Sequence, residues 1–145
     1  MKGEAMSRLI KAHTYIPVSA EAFFLPVPIK LELYYRNTLL CVYSIDENLT
    51  VDYTYNANTE IPILTCIDRR LTIKDIYFLI RSRLLPENPY TARMYCNKLG
   101  LTAYDPWSVI EHTHGFLPMS DYWIKKGGEE ITFNEVVNQY FALGI

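Results

Sequence analysis

The hydrophobic period of this chain changes once, at Leu71, and that change limits the fold more than any other feature. Before it, apolar residues recur every second position. Ile29-Lys30-Leu31-Glu32-Leu33 alternates apolar with charged residues, the mark of a strand with one buried face. Leu39 to Ile45 is more uniformly apolar and reads as a central strand. Val51 to Tyr55 alternates again and favours strand residues. Arg36-Asn37 and Asp46-Glu47-Asn48 are the turns between these runs, and Asn56 to Thr59 closes them into an antiparallel meander. Ile61 to Ile67, with Pro62 near its start, is expected as a short edge strand or extended link.

After Leu71 the apolar residues recur at helical spacing. Ile73, Ile76, Tyr77, Ile80 and Leu84 form one stripe. Thr72 and Asp75 approximate a capping box, and Pro86 is expected to end the helix. Asn88-Pro89 and Asp105-Pro106 each pair an N-cap residue with proline at the first helical position. The first opens a helix with Ala92, Tyr95, Cys96 and Leu99 inward, ended by Gly100. The second opens a short helix ended by Gly115. Thr132 and Glu135 form another capping box, opening a C-terminal helix through Val136, Val137, Tyr140 and Phe141. Between these, Tyr122-Trp123-Ile124 reads as a short extended segment. The expected fold class is therefore α+β: an N-terminal antiparallel β-meander of three to four strands, then a small bundle of three to four short helices. No repeat or linker divides the 145 residues, so 1–145 is expected as a single domain. Within it, 1–12 is expected as a flexible lead-in, 29–67 as β-rich and 71–145 as mainly helical. The Pro-rich stretch 13–28 is expected to pack along the domain or against a partner.

Charge narrows the function classes. A formal net charge of −2 supplies no basic excess to neutralise a phosphate backbone, so direct nucleic-acid binding is not expected. No run reaches the ~18 apolar residues of a membrane span. Lys11 and His13 interrupt the N-terminal apolar residues where a signal peptide would need continuity, so the expected location is the cytoplasm. Cys41, Cys66 and Cys96 are odd in number and widely spaced, which signals neither a zinc site nor a disulfide framework. Twelve tyrosines suit either a protein interface or tyrosine-rich strands.

No reactive constellation stands out. His112 and His114 are two apart, a spacing that points them to different helix faces and makes them poor joint ligands. Cys96 with one of these histidines would be the minimal nucleophile–base pair, but Cys96 falls on an apolar face. Gly127-Gly128 lacks the spacing of a phosphate loop and reads as a turn. No cofactor and no metal are expected. Asp68-Arg69-Arg70 and Arg81-x-Arg83 read first as solvated helix flanks and second as contacts for a phosphate or an acidic partner. Trp107 and Trp123 carry two readings, interface anchor and core filler. With Tyr122, Arg81 and Arg83 they form the expected partner-contact set: an exposed aromatic patch rimmed by arginines.

One resemblance bears on the partner. The second half contains Arg83, Pro86 and Asn88, then Leu99-Gly100-Leu101, then Ser120-Asp121-Tyr122-Trp123. This order resembles the region preceding the kinase core in HipA-like proteins of Firmicutes, where a β-rich part also comes first. It covers about half the chain at the level of motifs. The sequence ends at Ile145 without a Gly-rich nucleotide loop, a catalytic Asp loop or a metal-binding Asp, so phosphoryl transfer is not expected of it. The resemblance implies a stand-alone regulatory segment. In some split systems of the family, such a segment is a separate small protein that binds and restrains its kinase. The leading expectation is thus a non-enzymatic, regulatory or antitoxin-like binding module with a HipA-like kinase as partner. The alternative is a phage or mobile-element inhibitor of a host protein complex, such as an anti-CRISPR protein, and the third is a small enzyme using Cys96 or the His112/His114 pair. The oligomeric state is open, with an edge strand near Pro62 as one place where copies could pair.

Overall fold

A computed structural model of the protein describes residues 24–145. The expectations for the lead-in and for the Pro-rich stretch up to residue 23 lie outside the described residues. The elements run β1 (Ile29–Tyr35), β2 (Thr38–Ile45), β3 (Val51–Tyr55), α1 (Ile73–Ser82), α2 (Pro89–Leu99), α3 (Pro106–Thr113), β4 (Tyr122–Lys126) and α4 (Phe133–Ala142). The fold is α+β, as the change of period implies. No helix among the described residues is long and apolar enough to cross a membrane.

The four strands form one antiparallel sheet in the order β3-β2-β1-β4. The meander supplies three of them. The fourth is Tyr122-Trp123-Ile124 extended by two lysines, so the mainly helical half returns a strand to the sheet. It pairs with β1 across the register Leu33↔Ile124 and Tyr35↔Tyr122. Alternation then puts neighbouring residues on opposite faces. Leu31, Leu33, Cys41, Tyr43, Ile45, Val51 and Ile124 enter the main core with residues from α1, α2 and α3. Trp123, one position from Ile124, enters a smaller core with Phe116, Val136 and Tyr140. Leu25 and Val27 are fully buried, so the end of the Pro-rich stretch does pack along the domain.

The two edges of this sheet differ. On β4 the outward groups are taken up from within the chain. Arg83 Nη2 donates to the Tyr122 carbonyl (3.3 Å), the Ile124 N–H donates to the His114 carbonyl (2.7 Å), and the Lys126 N–H donates to Glu129 Oε1 (3.2 Å). On the other side, β3 pairs with β2 alone among the described residues.

Ile61 to Ile67 is not a strand. The segment crosses the inner face of the sheet and is held by three tyrosine hydroxyls from three strands. Tyr122 on β4 donates to the Pro62 carbonyl (2.7 Å), Tyr43 on β2 meets Thr65 Oγ1 (2.7 Å), and Tyr53 on β3 donates to the Arg69 carbonyl (2.7 Å). Tyrosine suits this role because its ring fills the core while its hydroxyl reaches a polar partner at the rim. The edge expected near Pro62 is therefore absent.

The helix signals hold, except that α1 ends early and His114, not Gly115, ends α3 in the left-handed region. Asn88 Oδ1 accepts from the Thr91 N–H (2.9 Å), and Gly100 ends α2 in the left-handed region with φ +70°. Asp105 caps α3 through the Ser108 N–H (3.1 Å), and Thr132 and Glu135 close a capping box on α4. Helix α1 stops at Ser82, well before Pro86, because Arg83 turns inward and leaves the helical path. At its start, Asp75 accepts the Thr72 N–H (2.7 Å) and receives both Nη groups of Arg69 (2.7 and 3.2 Å).

Two predictions follow from this frame. Replacing Tyr43, Tyr53 or Tyr122 by Phe removes one clamp each and should cost about 1 kcal/mol in urea unfolding. The triple variant should expose 61–70 to limited proteolysis, and unchanged cleavage would rule out the clamp. For acid stability, the Arg69 guanidinium holds the Asp75 carboxyl below its ordinary 3.8, against the opposing effect of burial. A depressed folded value means that this stability is present above the ordinary value and is lost as pH falls through the folded one. Asp75→Asn should therefore flatten the fall in the urea midpoint below about pH 4, relative to the parent protein.

Candidate interaction surface

The expected partner-contact set does not form an exposed patch. Trp107 is 4% exposed and lies in the main core. Trp123 is 1% exposed, stacked on Tyr34 with ring centroids 4.8 Å apart, and its Nε1 donates to the Arg36 carbonyl (2.7 Å). Both indoles are core fillers, set there by helix phase and strand alternation. Arg81 is half-buried, paired with Glu87 (3.1 Å) and donating to the Tyr77 hydroxyl (2.6 Å). Tyr122 is half-buried, edge-on to Tyr35 and anchored on Pro62.

Arg83 is the largest departure. The solvated flank expected there is 6% exposed. Its Nε donates to the Gly115 carbonyl (3.0 Å), and its Nη2 donates to Ser120 Oγ (3.0 Å) as well as to Tyr122. The guanidinium lies over the Tyr122 ring at 5.8 Å. It joins the end of α1 to both ends of the 115–120 loop and to the start of β4. Carbonyl and hydroxyl dipoles, not a carboxylate, satisfy it, and burial pushes its pKa below that of a free guanidinium. The loop approaches so closely that a Cβ on Gly115 would lie 2.9 Å from Arg83 Cβ, at a φ of +66° that side chains disfavour.

Held in this way is the turn Leu117-Pro118-Met119-Ser120, closed by the Ser120 N–H donating to the Leu117 carbonyl (3.1 Å). Proline second and a left-handed residue third is the pattern of a type II turn, whose third position normally takes Gly or Asn. Here it is Met119, at φ +70° and with its side chain wholly in solvent. A left-handed side chain costs about 1 kcal/mol, and no described residue repays it by burying the thioether. Arg36 fixes the far end of the turn by an ion pair to Asp121 (3.0 Å) and a backbone bond to the Asp121 carbonyl (2.8 Å). Beneath the turn, Phe116 is buried, with the ring of Tyr140 at 5.2 Å and that of the exposed Phe141 at 6.3 Å. Met119 and Phe141 are both exposed, and the Phe141 ring lies beside the buried Phe116.

The reactive candidates do not converge. His112 is exposed and bonds through Nδ1 to the Ser108 carbonyl (2.8 Å). His114 is buried, caps α3 at φ +56°, and places Nε2 2.7 Å from Glu129 Oε2, while its Nδ1 has no partner among the described residues. Cys96 is half-buried on α2, and Cys41 is buried, with burial raising its thiol pKa. Depressions of about 350 and 570 Å³ flank Ile29 and Lys30 at one end of the sheet, and neither is lined by a cysteine or histidine. Among the described residues, no group of three or more His, Cys, Asp or Glu side chains is placed to hold a metal ion.

Met119 was not visible to sequence reasoning. Leu-Pro-Met-Ser carries a turn signal in Pro118, but the positive φ and the exposure arise from how Arg83 and Arg36 hold the loop. No family model, curated protein or solved structure matches the chain.

Replacing Arg83 by Met should leave the Gly115 and Tyr122 carbonyls unpaired and lower stability by about 2–4 kcal/mol in denaturant titration. Arg83→Lys should recover little of this, since one ammonium cannot span the fork of acceptors. Full stability in Arg83→Lys would contradict the bridging geometry.

Proposed function

We propose that this chain is a non-enzymatic protein-interaction module, regulatory or antitoxin-like, that docks through the 117–120 turn, with the exposed Phe141 as a further apolar contact. The observation that carries the reading is Met119: a large apolar side chain, fully exposed, at a backbone conformation that favours glycine. Strain kept at an exposed position, with no reward from any described residue, points to a use outside the domain. A flexible thioether packs against irregular apolar surfaces, and a turn held at both ends loses little entropy on binding.

The partner class is carried by the resemblance to HipA-like proteins: a kinase core that this segment would contact and restrain. The compartment that fits is the cytoplasm, where the exposed Cys66 stays a thiol. The motif residues shared with that family serve the fold. Arg83 bridges, Asn88 caps, Gly100 ends a helix, and Trp123 fills the small core. They support a common scaffold, with the docking turn displayed on it.

Met119→Gly separates stability from binding. Glycine relieves the left-handed position, so the variant should melt at or above the parent temperature, with a gain of up to about 1 kcal/mol. Co-expressed with a HipA-like kinase from the source genome, the parent should copurify with the kinase and slow its autophosphorylation. Met119→Gly should lose both effects. Equal capture and equal inhibition by the variant would remove the turn from the interface, and no capture by the parent would remove the kinase as partner.

A further inference from the structure

We propose that the outer edge of β3 is a seam at which two copies of this chain pair, antiparallel, into one continuous eight-stranded sheet. Bonds at both ends of β3 set which groups face outward. Asp46 N–H donates to the Thr50 carbonyl (3.0 Å), and Asn56 N–H donates to the Leu40 carbonyl (2.8 Å). Even-numbered residues of β3 therefore face β2, and the N–H and C=O of Val51, Tyr53 and Tyr55 face away from it. No described residue bonds to these outward groups. The opposite edge of the sheet is closed by Arg83, His114 and Glu129. β3 has no proline and no lysine, the usual guards of an open edge.

The strand is complementary to itself. A two-fold axis through Tyr53 puts Tyr53 opposite Tyr53 of the second copy, Val51 opposite Tyr55, and Asp52 opposite Thr54. Every outward N–H then meets an outward C=O, as the antiparallel ladder requires. The one charge on β3, Asp52, faces a neutral hydroxyl, so no like charges oppose each other. Asp52 and Thr54 fall at the closely spaced, non-hydrogen-bonded pairs, where side-chain identity has most effect. Tyr55, nearly half exposed at the end of the strand, would come to lie across Val51 of the second copy.

Thr54 is exposed on the outer face, so it can be changed without disturbing the core. In sedimentation across micromolar to millimolar concentrations, the parent should show a monomer–dimer equilibrium. Thr54→Asp would oppose two aspartates twice across the dyad and should weaken the dimer by about tenfold, and Thr54→Lys should strengthen it by a similar factor. Exchanging the two residues (Asp52→Thr with Thr54→Asp) restores an unlike pair and should restore the parent affinity. Circular dichroism confirms that each variant is folded. Hydrogen exchange at the Tyr53 and Tyr55 amides should slow as concentration rises. A monomer at all concentrations, or a dimer indifferent to these charges, would overturn the proposal. Concentration-independent protection of those amides would also overturn it, by assigning the edge to another segment of the same chain.

Discussion

The guanidinium of Arg83 is sealed between a helix end, a loop and a strand with no carboxylate beside it. A charge taken out of water in this way is tolerated only if its N–H groups find acceptors, and here they come from the 115–122 stretch, more than thirty residues along the chain. Each carbonyl it binds would otherwise be a buried or half-buried orphan. The same few bonds therefore end α1, fix the loop at Gly115 and Ser120, and close the outer edge of β4. The β1–β4 pairing and the displayed turn both rest on that node.

Tyrosine plays a related part on the inner face. Three hydroxyls, one from each of β2, β3 and β4, hold the segment between the meander and the helices flat against the sheet. That arrangement covers the sheet without a further strand. It also accounts for part of the tyrosine content, which had two readings in the sequence. The interface reading gains nothing from these three rings, whose hydroxyls are occupied within the domain. The exposed apolar side chains near the end of the chain include a methionine, Met119, and a phenylalanine, Phe141.

The segments that the resemblance to HipA-like proteins rests on are a cap, a helix end, a buried arginine and a buried tryptophan. Each of these residues serves the scaffold of this domain.

Local physics was legible without coordinates. Alternation of period two, apolar stripes near period 3.6, Asn-Pro and Asp-Pro caps and a glycine helix end each depend on neighbours a few residues away, and the three meander strands and four helices follow from them. Whatever depended on contacts between distant residues was not legible. Trp107 and Trp123 carry the same composition signal whether they face a partner or a core. Arg83 looks like any helix-flanking arginine until Gly115, Ser120 and Tyr122 are brought around it. The 122–126 stretch is only extended until β1 pairs with it, and Ile61 to Ile67 has strand composition but is held by tyrosine hydroxyls at the Pro62 carbonyl and the Thr65 hydroxyl. Met119 becomes a candidate docking residue only once its φ and exposure are known. The chain by itself determined which elements form, because hydrogen bonding and side-chain period are local. Tertiary structure decided which faces are covered and which edge stays open, because burial belongs to the assembled surface and not to any one segment.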